Sequence, residues 1–178
     1  MNEQQLINGC IKGDRLAQKE LYDKYSRKMM GVCLRYVNDR ETARDILQEG
    51  FVKLFNNVDS YSQEGPFEAW MRKVFVNSAL EYLRRMDILK EAVSLDQVAE
   101  ASSSSHSALA ELEAQELLKI VQELPAGFRT VFNLFAIEGY SHKEIGDMLG
   151  ITESTSRSQY TRARQLLQKK IGKSFKTT

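Results

Sequence analysis

The chain has 178 residues, 42% of them hydrophobic, with a formal net charge of +1, which allows one ordinary core or two small ones of roughly 70–90 residues. No apolar run approaches the roughly 18–20 residues that span a bilayer, and Met1-Asn2-Glu3-Gln4-Gln5 lacks a basic stretch followed by an apolar one, so a cytoplasmic protein is expected. Cys10 and Cys33 form no CxxC pair and have no nearby His cluster, so neither a disulfide framework nor a zinc site is indicated, and both are expected as small core residues.

Apolar periodicity near 3.6 prevails, and no window alternates as a half-buried strand does. Leu6, Ile7, Cys10 and Ile11 predict a short helix that Gly13 ends, with Asp14 placed to cap a second through Leu21, Tyr25, Met29, Val32 and Tyr36. The third is the most regular: Ala43, Ile46, Leu47, Gly50, Phe51, Leu54, Phe55 and Val58 form one stripe. Asp45, Gln48 and Glu49, at i, i+3 and i+4, share the face turned away from it, where a partner surface can dock.

Turn formers from Asn56 to Gly65 lead to Pro66, which suits a first helical turn because its missing N–H would be unbonded there anyway. The helix it opens is expected to reach Arg85. Phe67 and Trp70 stand at helical spacing beside Arg72, Lys73 and Asn77, a mixture of aromatic surface, cations and a base-capable amide used to bind single-stranded DNA, although aromatics so spaced more often build cores, and the residues alone favour a core place for Trp70.

From Ile88 to Ser107 the periodicity fades, and Ser102-Ser103-Ser104-Ser105 has too little apolar surface to offset its ordering entropy, so a flexible linker is expected. The stretch is acidic: Glu91, Asp96, Glu100, Glu111, Glu113, Glu116 and Glu123 stand against Lys119 alone before Leu124. Helicity resumes near Ala108 with Leu109, Leu112, Leu117 and Ile120, breaks at Pro125-Ala126-Gly127, and returns with Val131, Phe132, Leu134 and Phe135 until Gly139-Tyr140.

Ser141 and Glu144 then form an S-x-x-E capping box, in which each side chain accepts an otherwise unpaired N–H at a helix start. Ile145, Met148 and Leu149 are its buried stripe, Gly150 is placed to end it in the left-handed conformation, and Thr152 caps the next helix. This spacing predicts a helix-turn-helix whose second helix enters the major groove by its first turns, with Glu153, Ser154, Thr155, Arg157, Ser158 and Gln159 as readers and Arg162, Arg164 and Lys169 toward phosphates. After Glu153 no acidic side chain follows, an electrostatic footprint for phosphate. His106 and His142 are too isolated for catalysis or metal binding, and His142, at a helix start, is expected to be solvated.

Nearly the whole chain resembles the extracytoplasmic-function group of the sigma-70 family. Gly13-Asp14 with Ala17 and Leu21-Tyr22-Asp23-Lys24-Tyr25 is similar to the family's opening pattern, and Asp39-Arg40-Glu41-Thr42-Ala43-Arg44-Asp45-Ile46-Leu47-Gln48-Glu49-Gly50-Phe51 to its polymerase-binding helix. Phe67-Glu68-Ala69-Trp70-Met71-Arg72-Lys73-Val74 with Asn77, Tyr82, Leu83, Arg84 and Arg85 resembles the segment that opens and reads the minus-ten promoter element. Leu124-Pro125, Glu138-Gly139-Tyr140-Ser141-His142-Lys143-Glu144-Ile145 and Arg162-Ala163-Arg164 resemble the domain that reads the minus-thirty-five element.

The resemblance implies that Asp45, Gln48, Glu49, Val52, Lys53 and Asn56 meet the clamp helices of the largest subunit of core RNA polymerase, with the flap receiving the C-terminal domain. It further implies minus-ten contacts by Phe67, Trp70, Arg72, Lys73, Asn77 and Arg84, a pocket for a flipped base at Asp59 to Glu64, and an anti-sigma factor as a further partner. Gln159 stands where many members have arginine, and Ser156 near a frequent valine, so no preferred promoter sequence is carried over.

The expected fold is all-α, with helical domains at 1–88 and 109–178 and a flexible linker at 89–108. Neither domain shows a nucleophile with a base, a phosphate-cradling glycine loop or a metal cluster, so no enzyme and no cofactor are expected. The competing readings are a stand-alone helix-turn-helix regulator and a helical adaptor that binds only protein.

Overall fold

The computed structural model describes residues 1–90 and 110–175; residues 91–108 of the expected linker lie outside them. Among the described residues the chain is all-helical, in two units that divide between Met86 and Asp87.

The first unit holds α1 (Glu3–Ile11), α2 (Arg15–Tyr36), α3 (Arg40–Asn57) and α4 (Phe67–Arg85). Each start is fixed locally. Asn2 and Gln5 form a capping box for α1, Asp14 accepts from Leu16 N at 2.8 Å, and Asp39 accepts from Thr42 N at 2.7 Å. Such caps contribute about 1 kcal/mol each. α1 packs on α2, and α2, α3 and α4 pack on one another. Between them lie Leu21, Met29, Tyr36, Ile46, Leu54, Met71, Phe75 and Leu83, all buried. Phe75 meets Phe51 edge to face at 5.0 Å, and a side chain on Gly50 would collide with the Phe75 ring.

The second unit holds a 3₁₀ turn (Ile88–Lys90), α5 (Ala110–Gln122), α6 (Ala126–Phe132), a π-helical turn (Asn133–Ile137), α7 (His142–Leu149) and α8 (Glu153–Phe175). Leu89 and Lys90, expected in the linker, form the end of that 3₁₀ turn, which packs against α6. α8 is the spine, touched by α5, α6 and α7. Leu124, Phe128, Ala163 and Leu167 close the core with Ile120 and Val121 against them. Arg129 is buried and donates through Nη1 to Gln122 O at 2.7 Å, capping the C-terminal end of α5 with a charge-assisted bond.

Candidate functional site

On α3 the apolar stripe faces α2 and α4, and the opposite face is open. Asp45, Gln48, Val52 and Asn56 are exposed, Val52 to 60%. Glu49 and Lys53 sit at the edge of that face and turn toward α4. Lys53 Nζ is 3.0 Å from Glu49 Oε1 and is also paired with Glu81, while Arg85 Nη2 is 3.6 Å from Glu49 Oε2. The bond from Lys53, with Arg85 behind it, holds the Glu49 carboxyl below the usual range. The six expected partner residues therefore divide into an open set and a pair committed to the neighbouring helix.

The loop before α4 and its first turns build a cleft lined by Tyr61, Ser62, Glu64, Pro66, Trp70 and Lys73. Tyr61 closes it by donating from its hydroxyl to Gly65 O at 2.6 Å. Phe67, expected at the DNA surface, is only 1% exposed: it meets Tyr25 at 6.4 Å and Tyr61 at 5.1 Å, edge to face. It belongs to the core and supports Trp70, which stacks on it at 5.7 Å with 24° between planes and stays half-buried with its outer edge at the cleft. At 100° per residue, Trp70, Lys73, Asn77 and Arg84 fall along one stripe of α4. Lys73, Asn77 and Arg84 are exposed there, whereas Arg72 lies about 130° around the helix from the middle of that stripe, on another side.

The helix-turn-helix is built as its sequence dictates. Ser141 and Glu144 make both bonds of the capping box, Glu144 N to Ser141 Oγ at 3.2 Å and Ser141 N to Glu144 Oε2 at 2.7 Å. Gly150 ends α7 with φ of 66°, a conformation that is strained for any side chain with a Cβ, and Thr152 accepts from Thr155 N at 3.0 Å to start α8. Glu153, Ser154, Arg157, Ser158, Arg162 and Arg164 are exposed, with Arg157 paired to Glu153 one turn earlier and Arg164 over the Tyr160 ring at 5.9 Å. Thr155 is half-buried and bonded to Thr152 at 2.8 Å. Gln159 is half-buried too, and its amide lies on the flank turned to Gly127 of α6.

His142, expected to be solvated, is instead packed. Its ring lies parallel to Phe135 at 4.2 Å and 7°, and its Nδ1 is 2.8 Å from Ser156 Oγ. Burial, with Arg157 nearby, holds the imidazole below its ordinary value. Ser156, which sequence alone leaves facing the helix interior, is fully buried. Neither contact has a local sequence signal, because the π-helical turn is what brings Phe135 into place.

Among the described residues no group of three or more His, Cys, Asp or Glu gathers as metal ligands, and no helix is long and apolar enough to cross a membrane. Both cysteines are buried, and burial pushes the thiols up, to about 11 for Cys10 and about 12 for Cys33.

Two family models match the chain, Sigma-70 region 2 over residues 21–87 and Sigma-70, region 4 over residues 114–167. The ECF RNA polymerase sigma-E factor of Haemophilus influenzae is 29% identical over 182 residues, covering 96% of each chain. The RNA polymerase sigma-H factor of Pseudomonas aeruginosa is 28% identical, covering 95% of this chain and 93% of its own. Among solved structures, the sigma factor RpoE in complex with the anti-sigma factor NepR from Bartonella quintana aligns with a TM-score of 0.53 at 22% identity, covering 85% of this chain and 94% of that one. CnrH in complex with the cytosolic domain of CnrY aligns with a TM-score of 0.51 at 20% identity, covering 96% and 97%. At those identities the two structures speak for the fold.

Proposed function

The chain belongs to the sigma-70 family, in its extracytoplasmic-function group, and on that premise we propose a division of labour between its two units. As a sigma factor it binds core RNA polymerase and directs promoter recognition and DNA melting at initiation. The first unit holds the polymerase through Asp45, Gln48, Val52 and Asn56, against the clamp helices of the largest subunit. Glu49 and Lys53 brace that face from its edge. In the same unit the cleft at Tyr61 and Trp70 receives an unstacked base of the minus-ten element, and Lys73, Asn77 and Arg84 follow the separated strand, since cations alternating with an amide beside an aromatic ring suit single-stranded DNA.

The second unit reads the minus-thirty-five duplex with α8 and meets the flap of the polymerase. Ser154, Arg157 and Ser158 face base edges, and Arg162 and Arg164 face phosphates. Gln159 reads from the flank. The polymerase performs all chemistry, so the chain acts without a catalytic site or cofactor of its own, in the cytoplasm. An anti-sigma factor is proposed as its inhibitor, by analogy with the neighbour that carries one.

The observation that carries this reading is the coincidence of each matched region with a separately packed helical unit whose singled-out helix keeps a polar face open. The test is a titration of the full chain with core RNA polymerase, followed by binding to promoter duplex. The complex is expected to form and to carry the promoter preference. A preference shown by the chain alone, with no affinity for core polymerase, would favour the stand-alone regulator.

A further inference from the structure

Two kinds of contact fix α8 to α7. The turn supplies the first: Ile151 N donates to Gly146 O at 3.0 Å, and a Cβ on Gly146 would lie 2.7 Å from Ile151 O, so the two helices meet backbone against backbone. That contact sets where α8 begins, and Ala163 and Leu167, buried against Leu124 and Phe128, hold the rotation of its later turns.

The rotation of its first turns is fixed at Ser156, which lies on the same buried stripe as Ala163 and Leu167, is fully buried and shares a hydrogen bond with His142. The imidazole cannot swing, because it lies flat on Phe135 and against Tyr160 at 5.7 Å, one turn beyond Ser156. Phe135 reaches this position from the π-helical turn, whose Glu138 N bonds to Asn133 O at 2.9 Å.

We propose that His142 is a positioning residue for promoter reading: clamped on Phe135 and bonded to Ser156, it sets the rotation of the first turns of α8 and thereby which side chains meet base edges. The inference rests on the reading of α8 as the recognition helix. With Ser156 held inward, Ser154 and Ser158 point outward, about 160–200° around the helix, and Arg157 stands at about 100°. A rotation of about 20° carries a side-chain tip, some 5–6 Å from the axis, through roughly 2 Å, which is more than a hydrogen bond to a base tolerates. His142 thus acts on specificity while touching no DNA.

The test uses the full chain bound to core RNA polymerase and a duplex library randomised across the upstream contact. The readout is the ratio of binding to enriched over unselected duplex, for the unaltered chain and for H142A, S156A and H142N. H142A and S156A are expected to lower that ratio by about tenfold, the loss of one good base contact. Affinity for core polymerase and for unselected duplex stays unchanged. H142N, whose amide restores a partner for Ser156, is expected to recover part of the ratio. S156A removes a single oxygen and keeps the test valid should H142A fail to fold. An unchanged ratio in S156A, or a uniform loss across all duplexes, overturns the proposal. If the unaltered chain enriches no upstream sequence, the reading of α8 itself fails and the proposal falls with it.

Discussion

Lys53 Nζ lies 3.0 Å from Glu49 Oε1, one turn earlier on α3, and the same ammonium is paired with Glu81 of α4. Lys53 and Glu49 are about a third exposed and Glu81 about half, so the pairs contribute little to stability, about 0–1 kcal/mol each. Their effect is on geometry: they tie the edge of α3 to α4 and leave Asp45, Gln48, Val52 and Asn56 as its open face.

Replacing Asp45, Gln48 and Val52 together by alanine is therefore expected to weaken binding to core polymerase by at least about tenfold. The melting temperature should shift by no more than about 2–4 °C, because exposed positions carry little folding energy. Lys53→Ala should have the smaller effect on affinity. Equilibrium titration beside thermal melting checks both, and unaltered affinity in the triple variant would remove α3 from the interface.

Gly50→Ala should destabilise the first unit by about 1–3 kcal/mol, since its methyl group would occupy space held by the buried Phe75 ring. Urea denaturation followed by circular dichroism gives the value. Stability equal to that of the unaltered chain would mean that α3 and α4 do not pack as closely as described.

The stability of the second unit should depend on pH through His142. Burial, with Arg157 on α8, lowers its pKa below 6.5, while Glu153 on α8 opposes the shift and Phe135 on the π-helical turn presents only an apolar ring. The unfolded chain therefore binds more protons in the window below that value. The contribution is fully present above about pH 6.5 and is lost as pH falls through the folded value. H142N should flatten the slope. Stability that rises on acidification through this window would contradict the assignment.

Arg164→Ala should weaken duplex binding across all sequences and make the dependence of log affinity on log salt shallower by about one unit, the signature of one lost phosphate contact. Gln159→Ala removes no charge, so it should change sequence preference and leave the slope intact. A salt series with the full complex distinguishes them, and the reverse pattern would mean that α8 lies differently in the groove.

Features that act within a few residues were legible in the sequence. Ser141 with Glu144, Gly150 and Thr152 each satisfy or end backbone only a turn away, so their residue types declare the helix-turn-helix. Phe67 and Trp70 were not separable, because both are aromatic at helical spacing and it is packing by Tyr25 from α2 and Tyr61 from the preceding loop that takes Phe67 inward. Glu49 was assigned to the open face for a similar reason: Glu81 and Arg85, which draw its edge toward α4, come from a different helix. His142 was misread because its stacking partner is carried in by an i→i+5 turn, which has no recognisable composition. The fading periodicity placed the start of the linker too early, because Leu89 and Lys90 form the end of a 3₁₀ turn held by α6, a distant element in the sequence.

This chain is expected to confer promoter-dependent initiation on core RNA polymerase. Transcription from a linear duplex recovered by selection with the complex, with strand opening mapped by permanganate reactivity of thymines, measures it. Core polymerase with the full chain is expected to give one defined transcript and an opened minus-ten segment. Core polymerase alone should give neither, and Trp70→Ala should bind the duplex while opening it poorly. A defined transcript that forms equally well without the chain, or a chain that binds the duplex yet never supports opening with the polymerase, would contradict it.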